Sequence, residues 1–355
     1  MLHQEIDDPL ARLGGTRRAF VLADLKILYL STSKNACTSI KWLMAELAGE
    51  DLDGFDPGTS GFTRKEGIHL RNLWQKTPKL NEISTSLRSQ IDPANGWYVF
   101  GVIRDPRVRM FSAWQNKYLL RSPHYAQWRN EVWFPREPRD ARDVIEGFAG
   151  FVSMLADEPD HPVFADAHFL NQVVLLEEDS VPYSRIYDTS ELSEMQKDLS
   201  SHLVGMGHEG KVVLGHSNDT PLRANGSVFE GGVRELVEKI YSEDFARFGD
   251  RWDFSQVESR AMDWDASSFR VVQALIDENE RVTEFRETVA QLRADKRQIA
   301  KRVTALERRV ENQRARIRRL QRPVPRGHTL KRRLKTSLPS PVVRTIRRLR
   351  HSTTR

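Results

Sequence analysis

Residues 26–47 read Lys26-Ile-Leu-Tyr-Leu-Ser-Thr-Ser-Lys-Asn-Ala-Cys-Thr-Ser-Ile-Lys-Trp-Leu-Met-Ala-Glu-Leu47. Ile27–Leu30 is a short, nearly continuous apolar run, the mark of a strand buried on both faces as in a parallel sheet. Ser31–Thr38 is small and polar and predicts a loop. Ile40, Leu43, Met44 and Leu47 then recur at helical spacing, so a helix follows, with Thr38 or Ser39 as its expected N-cap. Strand, tight loop and helix make an anion-holding device, because the N–H groups and the dipole at a helix start favour negative charge. The loop departs from the motif G-x-x-x-x-G-K-[ST], whose glycines let the backbone wrap a phosphate chain and whose hydroxyl holds Mg²⁺. It contains no glycine, and its Lys34 stands a few residues before the helix, where an ammonium meets a phosphate. On this stretch alone, an ordinary strand–helix loop with a solvated lysine explains the residues equally well.

A second stretch changes the balance. Residues 97–118 read Trp97-Tyr-Val-Phe-Gly-Val-Ile-Arg-Asp-Pro-Arg-Val-Arg-Met-Phe-Ser-Ala-Trp-Gln-Asn-Lys-Tyr118. Tyr98–Ile103 is another candidate for a buried strand. Arg104 sits where that strand ends, and Asp105-Pro106 opens a helix, proline being tolerated in the first turn. Ser112 falls on the second turn. An arginine at a strand end and a serine on the next helix can converge on one phosphate.

Together the two stretches resemble the sulfotransferases that use 3′-phosphoadenosine 5′-phosphosulfate (PAPS), and most of all the carbohydrate sulfotransferase type, sulfotransferase family 2. There a loop of the form P-K-x-x-x-T and a Trp-bearing helix grip the 5′-phosphosulfate. A motif R-D-P-x-x-R-x-x-S-A-x-x-N-K grips the 3′-phosphate. Here the first runs from Ser33 and Lys34 to Thr38, Ser39 and Trp42, with Ser33 in place of the usual proline. The second runs through Arg104, Asp105, Pro106, Arg109, Ser112, Ala113, Asn116 and Lys117. The likeness returns weakly at Asp166–Gln172, Tyr187-Asp188, His216–Asp219 and Ile240–Phe248, and so covers roughly residues 20–250. It implies an α/β, P-loop-like sulfotransferase fold with a parallel sheet and flanking helices.

The resemblance also implies roles. Lys34 stabilises the leaving phosphate. Asn35, Ala36, Cys37, Thr38 and Ser39 cradle the 5′-phosphate, and Arg104 and Ser112 hold the 3′-phosphate. The acceptor hydroxyl needs a general base, which suits histidine. His168 lies in a stretch like the family's H-[FW]-x-P-Q segment, with Asn171 in place of the proline. His69 lies between the two motifs, where the family places a variable, acceptor-side insert that here spans residues 50–95. Both stay open, and either histidine is also explained as a satisfied structural one; Glu66 and Asp166 are weaker alternatives. No metal is expected: the ten histidines are scattered and Cys37 is the single cysteine. The resemblance implies PAPS as sulfuryl donor and a carbohydrate or glycolipid acceptor. Two other readings stand beside it, a nucleotide-dependent kinase on the same fold and a coiled-coil assembly protein with an inactive sulfotransferase-like domain. The missing glycines argue against the first, and the joint presence of Lys34, Arg104 and Ser112 against the second.

Composition bounds the rest. A 355-residue chain with 39% hydrophobic residues can hold one large domain plus appendages. No run approaches eighteen consecutive apolar residues, so no membrane span is expected, and nothing at the start reads as a secretory signal. The single cysteine fits a reducing compartment. Animal carbohydrate sulfotransferases of this type are Golgi proteins with an N-terminal anchor, so the expectation here is a cytoplasmic, bacterial relative. The net charge of +6 is a property of the tail, since eleven of the 55 Lys and Arg lie from Arg322 onward with no Asp or Glu. The 44 that remain against 49 acidic residues leave residues 1–321 at −5, which gives nucleic-acid binding no support.

Four segments are expected: a lead-in at 1–19, the sulfotransferase domain at 20–265, a coiled coil at 268–321 and a basic amphipathic tail at 322–355. The aromatic, proline-rich stretch 121–140 reads first as loop packing and second as a sugar platform. Val144–Leu155 and Val233–Phe248 read as helices, and so does a segment from Ser190, which is the expected cap. Leu275, Val282, Val289, Lys296, Val303, Val310 and Ile317 recur at seven-residue spacing, most of them β-branched. Phe285, Leu292, Ile299, Leu306, Gln313 and Leu320 hold the position three later. This distribution predicts a parallel homodimeric coiled coil. In the tail, Leu330, Leu334 and Leu338, then Val342, Val343, Ile346 and Leu349, stripe a basic background. Such helices suit an anionic membrane surface, placing the protein at the inner face of the membrane; a disordered polyanion-binding tail is the plainer alternative.

Overall fold

Four short strands form one sheet: β1 (Ala19–Leu22), β2 (Ile27–Leu30), β3 (Tyr98–Ile103) and β4 (Arg185–Asp188), in that spatial order. The computed structural model describes residues 10, 18–58, 63–208, 212–215 and 220–321. Most of the lead-in, His216–Asp219 and the tail 322–355 lie outside the described residues. β2, β3 and β4 pair in parallel, with Leu28 opposite Val99 and Gly101 opposite Ile186. β1 pairs antiparallel with β2. The sheet is therefore parallel at its centre, as expected, with one antiparallel edge strand. The turn Ala23–Leu25, closed by Lys26 in the left-handed region, is too short for the crossover that a parallel pair requires.

Alternate residues of each strand feed opposite layers. Phe20, Leu22, Ile27, Tyr29, Phe100 and Val102 pack on one face. They meet Ile40, Leu43 and Met44 of α1 (Cys37–Leu47) and Met195, Leu199 and Leu203 of a later helix, Leu192–Gly205. Ala19, Val21, Leu28, Leu30 and Val99 face the other way, onto Leu80, Ile91 and Val181. A third core gathers α2 (Pro106–Trp114) and α3 (Ala141–Asp157) around Phe111, Trp114, Phe148 and Phe151. Most aromatics of 121–140 pack here: Trp128, Trp133 and Phe134 lie against this core.

The helix from Leu192, α4 (Leu192–Gly205), is preceded by a 3-10 turn, Thr189–Glu191. Asp188 rather than Ser190 caps that turn, in a reciprocal box with Glu191. Beyond it, residues 233–248 form two helices rather than one, α5 (Val233–Ile240) and α6 (Ser242–Phe248). The break falls at Tyr241, which is buried and donates its hydroxyl to the Phe169 carbonyl at 2.9 Å.

The heptad segment is one helix, α7 (Ala266–Leu320). The chain divides into compact units at Thr288, later than the Ser268 boundary read from the heptads. The first turns of α7 belong to the first unit, because Val272 and Ile276 are each 1% exposed in the third core. Burial of that degree contributes roughly 1.5–3 kcal/mol per side chain. In the second unit, Leu292, Ile299, Val303, Leu306, Val310 and Ile317 are exposed on the single chain.

Candidate active site

The loop after β2 enters α1 through two left-handed residues, Lys34 (φ 70°) and Ala36 (φ 56°). Neither is glycine, so the backbone is held in a region that costs non-glycine residues roughly 1–3 kcal/mol each. α1 starts at Cys37 with Ala36 at its N-cap and no side-chain cap. The expected caps, Thr38 and Ser39, lie inside the first turn.

Buried hydrogen bonds hold this geometry. Thr32 Oγ1 donates to the Val102 carbonyl. Asn35 Nδ2 reaches Thr32 Oγ1 at 2.7 Å, the Val102 carbonyl at 2.9 Å and Gln172 Oε1 at 2.7 Å. Asn35 is fully buried, so its side chain shapes the loop from behind and does not line the cleft. Gln172 Oε1 also accepts from the Arg104 N–H at 2.9 Å, and its Nε2 donates to the Arg104 carbonyl at 2.9 Å and to Asp244 Oδ2 at 3.1 Å. One side-chain amide thus ties the loop after β2 to the end of β3. Arg109, also fully buried, adds a second tie. Its guanidinium donates to the carbonyls of Ser33 (3.0 Å), Leu170 (2.8 Å) and Ala167 (2.9 Å).

These ties shape a cleft of about 820 Å³ lined by Lys34, Ala36, Cys37, Thr38, Ser39, Arg104 and Ser112. The two motifs, distant in sequence, share one cavity, and both candidate histidines, His69 and His168, line it as well. Lys41, Asn116 and Lys117 add to the lining and had no assigned role from sequence. Asn116 and Lys117 had a signal, since both closed the quoted second motif. They lie on a π-helical turn, Gln115–Leu119, a rare conformation that recurs at functional sites. Lys41 had only its place on the cleft-facing side of α1. Glu66 is the one carboxylate among the described lining residues, so cations dominate.

Crowded, half-buried cations are held below their usual protonation range. Burial, then the charges of Lys117 and Arg104, brings Lys34 down to about 7. Burial also lowers Lys41 and Lys117. An anion in the cleft reverses these shifts.

The two histidines differ in their bonding. His69 Nε2 lies 3.0 Å from Thr38 Oγ1 and its Nδ1 lies 3.0 Å from Lys41 Nζ, so both ring nitrogens are engaged. His168 Nδ1 lies 2.6 Å from Asp166 Oδ1, and among the described residues nothing bonds its Nε2. Burial and then the Lys41 charge hold His69 well below its usual pKa. Burial and then the Lys117 charge hold His168 down, against the pull of Asp166. His124, also in the lining, is brought to about 4 by burial and the nearby Arg286.

A stability prediction follows. Below pH 6.5 the unfolded chain protonates these three histidines and the folded chain does not. Stability is therefore expected to fall as pH drops from 7 to 5, by roughly 1 kcal/mol per pH unit for each histidine. Asp166, lowered by its bonds from His168 and Tyr125 despite burial, acts only at lower pH, while buried Asp244, whose pKa is raised, works against the trend. Urea unfolding at pH 7, 6 and 5 checks it, and a pH-independent midpoint would refute it.

Among the described residues, no helix is long and apolar enough to cross a membrane. Comparisons with curated proteins and with solved structures find no match. The model of the sulfotransferase family matches residues 17–249, the span that carries the loop, both motifs and the Asp166–His168 pair. The chain belongs to the sulfotransferase family, a family of transferases.

Proposed function

We propose that this protein moves a sulfuryl group from PAPS to a hydroxyl of a carbohydrate or glycolipid. The observation that carries the reading is the cleft itself, where Lys34, Lys41, Lys117 and Arg104 meet Ser112 and His168 around a single lining carboxylate. Such a set fits a donor with phosphates at both ends, and the depressed lysines gain most from an anion. When bound, PAPS supplies a sulfuryl group whose S–O bond to the 5′-phosphate breaks as the acceptor oxygen bonds to sulfur. Thr38 and Ser39, at the start of α1, hold the 5′-phosphate. Arg104 and Ser112 hold the 3′-phosphate. Lys34 stabilises charge that gathers on the leaving phosphate oxygen. His168 takes the acceptor proton at Nε2 and later gives it to solvent. Neutralising Lys34 and Lys117, two charges that hold His168 down, raises its basicity when the donor is in place. His69 is the weaker candidate, because Thr38 and Lys41 occupy both its nitrogens; its role is to brace the loop. The polar lining at Thr189, Ser193 and Gln196 suits a hydroxyl-rich acceptor.

The test is calorimetry with 3′,5′-ADP and AMP, without metal. The parent is expected to prefer 3′,5′-ADP strongly. Arg104→Ala is expected to remove most of that preference, about 2–4 kcal/mol for a lost charge-assisted contact. Equal binding of the two nucleotides by the parent would sink the reading.

We propose also that the exposed stripe Leu292–Leu320 mates with a second copy in parallel. Leucines and β-branched residues at 45–77% exposure in a seven-residue repeat support this. Light scattering is expected to give a dimer for the parent and a monomer for the Leu292→Lys, Leu306→Lys pair. A monomeric parent at micromolar concentration would contradict it.

A further inference from the structure

Asp166 spends both carboxylate oxygens on two neighbours that line the cleft. Its Oδ1 accepts the backbone N–H of His168 at 2.9 Å and faces His168 Nδ1 at 2.6 Å. Its Oδ2 accepts the hydroxyl of Tyr125, from a segment far away in sequence. An ionised carboxylate only accepts, so the proton of a neutral His168 must sit on Nδ1 and the lone pair on Nε2.

Both halves of this arrangement are anchored from behind. Arg109 grips the carbonyls of Ala167 and Leu170 on either side of His168. The Tyr125 ring meets Tyr118 edge-on at 5.4 Å, and Lys117 Nζ lies 5.3 Å from its centroid. The segment carrying Tyr125 is fastened to α7 at both ends. Asn279 Nδ2 donates to the Leu120 carbonyl at 2.7 Å, and Glu280 bridges Arg121 at 2.9 Å and Arg129 at 2.7 Å.

We propose that Asp166 and Tyr125 are positioning residues that lock His168 in the Nδ1–H tautomer, with Nε2 presented to the cleft. Asp166 sets the tautomer, and Tyr125 stops the carboxylate from rotating away. A local turn explains the contact to the His168 backbone; it does not explain the second oxygen meeting Tyr125. The catalytic consequence rests on the reading of His168 as general base, whereas the tautomer does not.

The experiment is long-range ¹⁵N NMR of the full-length protein labelled at histidine, with His168 assigned by its loss in His168→Gln. At pH 7.5, with 3′,5′-ADP, the parent is expected to show a protonated Nδ1 and an unprotonated Nε2. Asp166→Asn is expected to move the proton to Nε2 or mix the two forms. Tyr125→Phe, which keeps the ring packing but leaves Asp166 Oδ2 without its donor, is expected to mix the two tautomers. A parent with its proton on Nε2, or an Asp166→Asn protein with the parent's tautomer, overturns the lock. If Asp166→Asn does not fold, a Tyr125→Phe protein that keeps the parent's single tautomer overturns it. In transfer of radiolabelled sulfuryl from PAPS to a glycan extract, Asp166→Asn is expected to lose on the order of 100-fold in turnover, with 3′,5′-ADP affinity kept and partial rescue by Asp166→Glu. The parent's tautomer as expected, with full activity in His168→Gln, refutes the base and leaves the lock standing.

Discussion

Arg109→Ala is expected to lower the stability of the fold by about 4 kcal/mol or more, and to abolish 3′,5′-ADP binding at concentrations that saturate the parent. Arg109 is fully buried, and its guanidinium serves the carbonyls of Ser33, Leu170 and Ala167. Each buried carbonyl left without a donor costs roughly 1–3 kcal/mol, and the void left by the side chain adds to that. The damage is not confined to stability, because Ser33 begins the cleft-lining loop before α1 and Ala167 adjoins His168. Arg109→Lys retains the charge but has one compact ammonium in place of a planar fork, so it is expected to recover only part of the loss. Urea unfolding and calorimetry on the same samples check both effects. A loss below about 1 kcal/mol would mean that water replaces the guanidinium, and the tie would be unimportant.

Lys34→Ala is expected to reduce turnover by about 10²–10³-fold while changing 3′,5′-ADP affinity less than about tenfold. In the proposed reaction its ammonium stands where charge develops on the leaving group, so its contribution is greatest in the transition state. A second signature needs no acceptor. With its pKa near 7, Lys34 is incompletely protonated at pH 7.5, and a phosphate beside it pulls a proton on. Binding of 3′,5′-ADP should take up roughly three quarters of a proton, read by calorimetry in buffers of different ionisation enthalpy. Lys34→Ala should lose most of that uptake. Equal uptake in parent and variant would place the proton elsewhere and remove Lys34 from the reaction centre.

How much of this was legible beforehand varied with the reach of the interactions. Ile27–Leu30 and Tyr98–Ile103 form strands, and Ile40, Leu43 and Met44 face the core, because apolar spacing is a local property. Asp105 opens α2 as its composition suggested, accepting from the Arg107 N–H at 2.9 Å. Arg104 and Ser112 reach one cleft with Lys34, as paired motifs implied. The inward turn of Asn35 was hidden, since Lys34 and Ala36 are left-handed without a glycine to signal it. Lys41 was hidden because a helical lysine looks like a solvated one until a histidine from another segment is found 3.0 Å away. The break at Tyr241 was hidden too, because apolar spacing continues across it and only the buried bond to Phe169 explains it.

Gln172 has a consequence for what counts as a separable piece of this chain. Its amide touches Asn35 across 137 positions, Arg104 across 68 and Asp244 across 72. Four widely scattered points therefore close one knot, and no shorter stretch contains it. A fragment ending before Asp244 could keep every residue of both motifs and still lack the last tie of that knot. Seen this way, the family match, which ends at residue 249, stops just past the last of these four points.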